Sequence, residues 1–206
     1  MKVLMINGSP RKNGNTAIAL REMEPIFAAQ GIETETIQVG NQDIRGCISC
    51  YSCMKNGKCV FDDLVNQVAP KFEACDGLVV AGPVYYGSAN GTLVSFLDRL
   101  FYSTPFDKTM KVGAAVVVAR RGGTTATFDE LNKYFTISGM PVASSQYWNS
   151  VHGREMGEAA QDGEGLQTMR NAAKCMAWML KCFEAGKAQN IALPDTKKEV
   201  STNFIR

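Results

Sequence analysis

Two runs of consecutive apolar residues, 78–81 and 114–118, are the strongest constraint on the fold of this 206-residue chain. A strand that is apolar at every position has both faces covered by other elements, which is typical of parallel sheets. Three further segments have strand length and composition, and helix-like stretches separate all five. The predicted strands are 3–6, 35–39, 77–81, 112–119 and 142–147. The predicted helices are 15–30, 62–73, 90–102, 124–138 and 163–185.

Five strands that alternate with five helices predict an α/β fold, in which helices cover both faces of a parallel sheet. The length and the hydrophobic content of 45% suffice for one domain over 1–206. A cysteine-rich loop at about 44–61 lies between the second strand and the second helix. In the last helix, Cys175 and Cys182 are seven positions apart, and we expect both to pack into the core.

The charge pattern excludes some classes of partner. The formal net charge is +2, and the Lys and Arg residues are scattered along the chain. Nucleic acid and acidic membrane surfaces both attract a concentrated basic face, so we expect neither as a partner. No apolar run approaches the length of a membrane span, and the first residues lack the features of a signal peptide. We therefore expect a cytoplasmic protein.

The loop after the first strand carries small and polar residues directly before a helix. In an open parallel sheet this position binds anions, because free N–H groups and the helix N-terminus favour negative charge. Neither a dinucleotide fingerprint nor a Walker A loop is present, which favours a single terminal phosphate, as on flavin mononucleotide (FMN). The alternative is a polar turn in which Asn13 or Asn15 caps the helix. The predicted phosphate-binding residues are Ser9, Arg11, Asn13, Asn15 and Thr16.

The segments Gly8-Ser9-Pro10-Arg11 and Gly14-Asn15-Thr16 resemble the phosphate loop of the NAD(P)H-dependent FMN reductase family. These flavodoxin-like proteins include the iron–sulfur flavoproteins. The resemblance covers the first half of the chain well and the second half more loosely. It implies a doubly wound five-stranded sheet of order 2-1-3-4-5, bound FMN, NAD(P)H as reductant, and a homodimer or homotetramer.

Two later loops are expected at the flavin ring. In the family, the segment that matches the one after the third strand surrounds the ring with backbone groups and an aromatic side chain, which suits a flat amphipathic ligand. The alternative is that these tyrosines only pack a loop. The resemblance also places the glycine pair after the fourth strand beside the ring. The predicted ring-binding residues are Pro83, Val84, Tyr85, Tyr86, Gly87, Arg120, Gly122 and Gly123.

The single histidine, His152, follows the fifth predicted strand. It lies at the same sheet edge as the other loops and is a candidate proton donor or substrate contact. The alternative is a loop residue whose ring serves only a local hydrogen bond.

Four cysteines, Cys47, Cys50, Cys53 and Cys59, have the spacing C-x2-C-x2-C-x5-C. Four thiolates in so short a loop fit a cubane cluster or a tetrahedral metal. The motif resembles that of the iron–sulfur flavoproteins, in which it holds a [4Fe–4S] cluster near the flavin. Zinc and free or disulfide-forming thiols remain alternatives.

Two principal functions follow from these features. In the first, NAD(P)H reduces bound FMN, which passes electrons to a quinone, a flavin or another small acceptor. In the second, the protein is an electron carrier that relays electrons between a ferredoxin-like partner and FMN through a [4Fe–4S] cluster. A third possibility is a flavin-binding module with a structural or regulatory role.

Overall fold

A computed structural model describes residues 1–196, 198–202 and 204 of the chain. The strands are β1 (Lys2–Asn7), β2 (Glu33–Gln38), β3 (Gly77–Tyr85), β4 (Ser88–Ala89), β5 (Val112–Ala119) and β6 (Ser150–His152). The α-helices are α1 (Asn15–Ala29), α2 (Ser52–Asn56), α3 (Leu64–Ala74), α4 (Gly91–Ser103), α5 (Thr124–Ile137) and α6 (Gly163–Ala188). A short 3-10 helix spans Glu158–Gln161.

The main sheet has the strand order β2-β1-β3-β5-β6, and every neighbouring pair in it is parallel. The short strand β4 lies off this path and pairs antiparallel with the end of β3. Without β4, the order is the 2-1-3-4-5 order of the prediction. The predicted α/β doubly wound, flavodoxin-like fold is therefore confirmed.

The fifth strand of the sheet lies further along the chain than predicted. The predicted strand at 142–147 contributes only one bridge, between Val142 and Gly113. The strand itself is β6, whose residues pair with Val117, Val118 and Ala119 of β5. In between, the Ser145 hydroxyl lies within hydrogen-bond distance of the Tyr147 carbonyl and of Asn149 Oδ1, and it accepts from the Tyr147 amide, which forms a turn. Such side-chain bonds give the backbone an alternative to the sheet ladder.

The central strands are buried on both faces, which accounts for their continuous apolar runs. Along β1, Val3 and Met5 face a core layer formed with α1 and α6, whereas Leu4 and Ile6 face a second layer formed with α3, α4 and α5. Each fully buried large aliphatic side chain contributes about 1.5–3 kcal/mol. The two layers hold the strand ends, and hence the loops that follow them, in fixed positions.

The prediction that Cys175 and Cys182 are buried is wrong, because both side chains are exposed. The buried face of α6 contains Met169, Met176 and Leu180, and the two cysteines lie away from it. By contrast, Cys75 is 1% exposed, and burial raises the pKa of its thiol to about 11. Within the part of the chain that the structure describes, no helix is both long enough and apolar enough to cross a bilayer.

Candidate functional site: a loop cleft and a cysteine pocket

An open cleft of about 660 Å³ lies at the carboxyl edge of β1, β3 and β5. This is the edge where doubly wound sheets bind ligands. The residues that line it are Ser9, Pro10, Arg11, Asn15, Thr16, Pro83, Val84, Tyr85, Val118, Ala119, Arg120, Gly153 and Arg154. Eight of the predicted FMN-binding residues, Asn15 among them, therefore lie together in the cleft. They come from three separate loops.

The first helix begins at the cleft without a side-chain cap. Its N-cap residue is Gly14, and no side chain bonds to the free N–H groups of the first turn. The capping role considered for Asn13 or Asn15 is therefore wrong. Before the helix, the Ser9 amide donates to Asn7 Oδ1 and the Arg11 amide donates to Ser9 Oγ. Free helix N–H groups beside the Arg11 guanidinium suit a phosphate.

Buried and half-buried amide side chains hold this loop from two neighbouring elements. Asn7 Nδ2 donates to Gln38 Oε1 over 2.9 Å, and Gln38 Nε2 donates to the carbonyl of Ser9. Asn90, which is 3% exposed at the start of α4, donates through Nδ2 to the carbonyl of Gly8 over 2.9 Å. These supports could not be predicted from the sequence, because each one depends on a contact between segments far apart in the chain.

The two predicted asparagines of the loop differ in position. Asn15 Nδ2 donates to the carbonyl of Glu155, and its Oδ1 accepts from the amides of Gly157 and Ala159. Although Asn15 lines the cleft, its side chain thus joins the loop to the segment after β6. Asn13 is exposed and does not line the cleft.

The predicted ring-binding residues are divided between the cleft wall and its rim. Pro83, Val84 and Tyr85 form part of the wall. Tyr86 and Gly87 form the turn between β3 and β4, where Tyr86 is fully exposed with φ of 58°. This turn packs closely on the start of α5. There Gly123 has φ of 88°, and an added Cβ would lie 2.7 Å from Val84 Cγ1.

In the last of the three loops, Arg120 lines the cleft, whereas exposed Gly122 does not. His152 also lies outside it, in a neighbouring pocket with Asp162. The His152 backbone N–H donates to Asp162 Oδ2 over 2.6 Å, and its Nδ1 lies 3.5 Å from the same oxygen. The next two residues, Gly153 and Arg154, do line the cleft. Their position directly after a strand at this edge was the signal that could have identified them.

All four clustered cysteines line a second pocket, whose walls are mainly apolar. Cys47 and Cys50 are exposed, and Cys53 and Cys59 are half-buried. Among the described residues, no group of three or more His, Cys, Asp or Glu side chains is arranged to hold a single metal ion. A cubane cluster differs from a single metal ion, because each of its four irons binds one thiolate. Four cysteines around one pocket supply the ligands that such a cluster requires.

Hydrogen bonds hold the fourth cysteine most firmly. The Cys59 amide donates to Asn66 Oδ1, and Asn66 Nδ2 donates back to the Cys59 carbonyl, each over 3.0 Å. Its Sγ accepts from Arg99 Nε over 3.3 Å. At the other end of the motif, the Ser49 amide donates to Cys47 Sγ over 3.5 Å. N–H donors to sulfur are typical of iron–sulfur sites. Arg99 was missed because it lies within the apolar stretch of α4.

The sheet order and the cleft at its carboxyl edge, beside an uncapped helix, define a flavodoxin-like protein with a site that fits FMN. The family described as NADPH-dependent FMN reductase matches residues 1–155. The chain belongs to this family and is an FMN-dependent oxidoreductase.

Two curated relatives match this chain over almost their whole length. An iron–sulfur flavoprotein from Methanocaldococcus jannaschii is 35% identical over 195 residues, which cover 89% of this chain and 100% of the relative. An iron–sulfur flavoprotein from Methanosarcina thermophila is 31% identical, with coverage of 91% and 99%.

Solved structures share the fold at low sequence identity. A structure of RosB with a bound intermediate has a TM-score of 0.70 at 17% identity and covers 100% of this chain and 94% of its own. A flavodoxin from the domain Archaea has a TM-score of 0.59 at 13% identity, with coverage of 88% and 99%.

Proposed function

We propose that this oxidoreductase holds a [4Fe–4S] cluster on Cys47, Cys50, Cys53 and Cys59 and relays electrons between a ferredoxin-like partner and FMN. The observation that carries the proposal is the single pocket lined by all four thiols. The N–H donors to Cys47 and Cys59 support it, as do the names of the two curated relatives. When bound, the cluster supplies single electrons and FMN accepts one or two.

The chain's own residues have separate tasks toward FMN in this proposal. The free N–H groups at the start of α1, with Ser9, Arg11 and Thr16, bind the phosphate. Tyr85 would pack on the ring, and the positive charge of Arg120 would stabilise a negatively charged ring edge. Tyr86, Gly87, Gly122 and Gly123 remain predicted contacts at the rim, and Asn13 at the phosphate.

A second candidate is direct reduction of FMN by NAD(P)H, followed by transfer to a quinone, a free flavin or another small acceptor. The open cleft favours it, since Tyr85 at its wall is 49% exposed and a nicotinamide would have access to the cleft from solvent. The family description supports the same reductant. Orientation of two rings is then the main contribution of the protein, and no acid–base residue is required.

We also propose a homodimer or homotetramer. Large aromatic side chains are exposed, among them Tyr86 in the turn after β3 and the contacting pair Tyr147 and Trp148 before β6. Exposed apolar patches of this kind mark interaction surfaces. Light scattering coupled to size-exclusion chromatography measures the assembly directly, and a monomer at micromolar concentration would contradict this part of the proposal.

The experiment that tests the proposed function is anaerobic purification without added flavin or iron, followed by assays of FMN, iron and sulfide. We expect flavin bands on a broad brown absorbance that dithionite bleaches, with about four irons per chain. Flavin without stoichiometric iron would contradict the cluster. Mixing the protein with reduced ferredoxin or with NAD(P)H then separates the two candidates, because only the competent donor reduces the flavin rapidly.

A further inference from the structure

Arg99 is a buried charge that the flavin site does not use. Its side chain is fully enclosed, although α4 surrounds it with apolar neighbours such as Phe96 and Leu100. A guanidinium without partners is costly in such a position, so its presence requires compensation. The hydrogen-bond partners that compensate its burial lie in residues 45–63, the segment that contains the four clustered cysteines and is called the cysteine segment below.

The partners of Arg99 account for all five of its N–H donors. Nε donates to Cys59 Sγ over 3.3 Å. One terminal nitrogen donates to Asp63 Oδ2 over 2.7 Å and to the carbonyl of Arg45 over 3.2 Å. The other donates to Asp63 Oδ1 over 2.9 Å and to the carbonyl of Phe61 over 3.5 Å. Arg99 therefore binds both ends of the cysteine segment and one of its sulfurs.

The charge of Arg99 is retained despite its burial. A guanidinium stays protonated in proteins, and both carboxylate oxygens of Asp63 face it to balance the charge. Only a planar guanidinium has five donors in a fixed arrangement, and a lysine ammonium cannot reach the same set of partners.

We propose that Arg99 is the positioning residue of the cysteine pocket: it fixes Cys59 as the fourth cluster ligand and raises the reduction potential of the cluster. This inference rests on the function proposed above. A hydrogen bond and a positive charge beside a ligand sulfur favour the reduced, more negative cluster. A residue that only supported the loop would leave this potential unchanged.

Arg45 provides a matched control within the same segment. Its guanidinium carbon lies 4.6 Å from the centre of the Phe61 ring, and that of Arg99 lies 5.0 Å from the same ring. Only Arg99 also donates to a cysteine sulfur. Arg45→Gln therefore removes a positive charge from the same ring without removing a bond to a ligand.

The experiment compares wild-type holoprotein with Arg99→Lys, Arg99→Gln and Arg45→Gln. FMN content and circular dichroism establish folding, iron content measures ligation, and a redox titration followed by electron paramagnetic resonance measures the potential. We expect both Arg99 variants to bind FMN fully. Each should either lose at least half of its iron or retain a cluster whose reduction potential is more negative than in wild type. Arg45→Gln should match wild type. Unchanged iron and potential in both Arg99 variants would overturn the inference.

Two further measurements remain decisive if the variants fail to fold or the wild type lacks iron. In folded holoprotein labelled with ¹⁵N-arginine, pulsed resonance of the reduced cluster should detect a coupled arginine nitrogen, and the absence of this coupling would overturn the inference. Wild type without iron would contradict the proposed function alone. In that iron-free protein, we expect hydrogen exchange at residues 57–63 to be at least tenfold faster in Arg99→Lys than in Arg45→Gln, and equal rates would overturn the positioning role.

Discussion

At the scale of single residues, polar side chains that water hardly reaches shape both candidate sites. Asn7 and Asn90 are 1% and 3% exposed and hold the phosphate loop, and Arg99 at 1% holds the cysteine segment. Buried polar groups stabilise a structure only when they are bonded, and removal of one partner leaves the other unsatisfied. These residues therefore fix loop geometry as well as contribute stability.

Asn15→Ala should weaken both folding and FMN binding. The variant removes the acceptor for the amides of Gly157 and Ala159 and the donor to the Glu155 carbonyl. We expect a loss of about 1–3 kcal/mol in the free energy of unfolding, because backbone N–H groups lose their partner. Urea unfolding and quenching of FMN fluorescence measure the two effects.

Asn13→Ala is the control for this prediction, since Asn13 is exposed in the same loop and does not line the cleft. We expect its free energy of unfolding to remain within about 0.5 kcal/mol of the wild-type value. Equal effects of the two substitutions would contradict a bracing role for Asn15.

The residues that the sequence could identify are those located by topology alone. Ser9, Arg11, Tyr85 and Arg120 each follow a predicted strand, and parallel strands bring their carboxyl ends to one edge. The role of Arg99 could not be identified in this way. Its partners are 36 to 54 positions away in the chain, and only the packed structure brings them to it.

At the scale of elements, the edge strand β2 depends on ion pairs. Its residues are at best half-buried, and Glu35 accepts hydrogen bonds from Lys2 over 2.7 Å and from Lys71. The hydrogen bonds from Lys2 and Lys71 lower the pKa of Glu35. A carboxylate with a lowered pKa stabilises the fold above its unfolded pKa of about 4.3, and this contribution is lost as the pH falls through the folded pKa.

Glu35→Gln should therefore lower the melting temperature by a few degrees at pH 7, with a difference that disappears in acid. The effect is small because the pairs are partly exposed and screened by salt. Melting curves between pH 7 and pH 3 measure it. Glu33→Gln is the control, because Glu33 is more exposed and its oxygen lies 3.5 Å from Lys2. A constant difference across the pH range would contradict the ion-pair explanation.

The position of β6 shows the limit of prediction at this scale. The residues at 142–147 have strand composition, yet β6 forms at Ser150–His152. Hydrogen bonds of the Ser145 hydroxyl to Tyr147 and Asn149 form the intervening turn. The pattern of apolar residues predicts that a strand exists more reliably than it predicts where the strand begins and ends. Side-chain hydrogen bonds of this kind shift the ends and leave no periodic pattern in the sequence.

At the scale of the whole molecule, α4 connects the two sites. Asn90 at its N-cap bonds to Gly8 of the phosphate loop, and Arg99 near its other end bonds to Cys59. The two positions are nine steps apart along the chain, which corresponds to about 14 Å along the helix axis. Because the intervening residues Leu93, Phe96 and Leu97 are in the core, one rigid element holds both loops.

The cysteine segment should nevertheless be separable from flavin binding. None of the four clustered cysteines lines the flavin cleft, and Cys47 and Cys50 are exposed. We expect the fourfold variant, in which serine replaces Cys47, Cys50, Cys53 and Cys59 together, to lose its iron. Its FMN affinity should remain within about threefold of wild type, which corresponds to less than about 1 kcal/mol. Iron analysis and a fluorescence titration with FMN measure both quantities.

The matched control replaces the exposed pair Cys175 and Cys182 by serine, since exposed positions without buried partners tolerate substitution. This double variant should keep both iron and FMN, which would assign any loss of iron to the clustered thiols. If the fourfold variant also loses FMN while its far-ultraviolet circular dichroism stays native, the cysteine segment contributes to the flavin site. The phosphate loop and the cysteine pocket would then form one cooperative site, whose two ends α4 holds together.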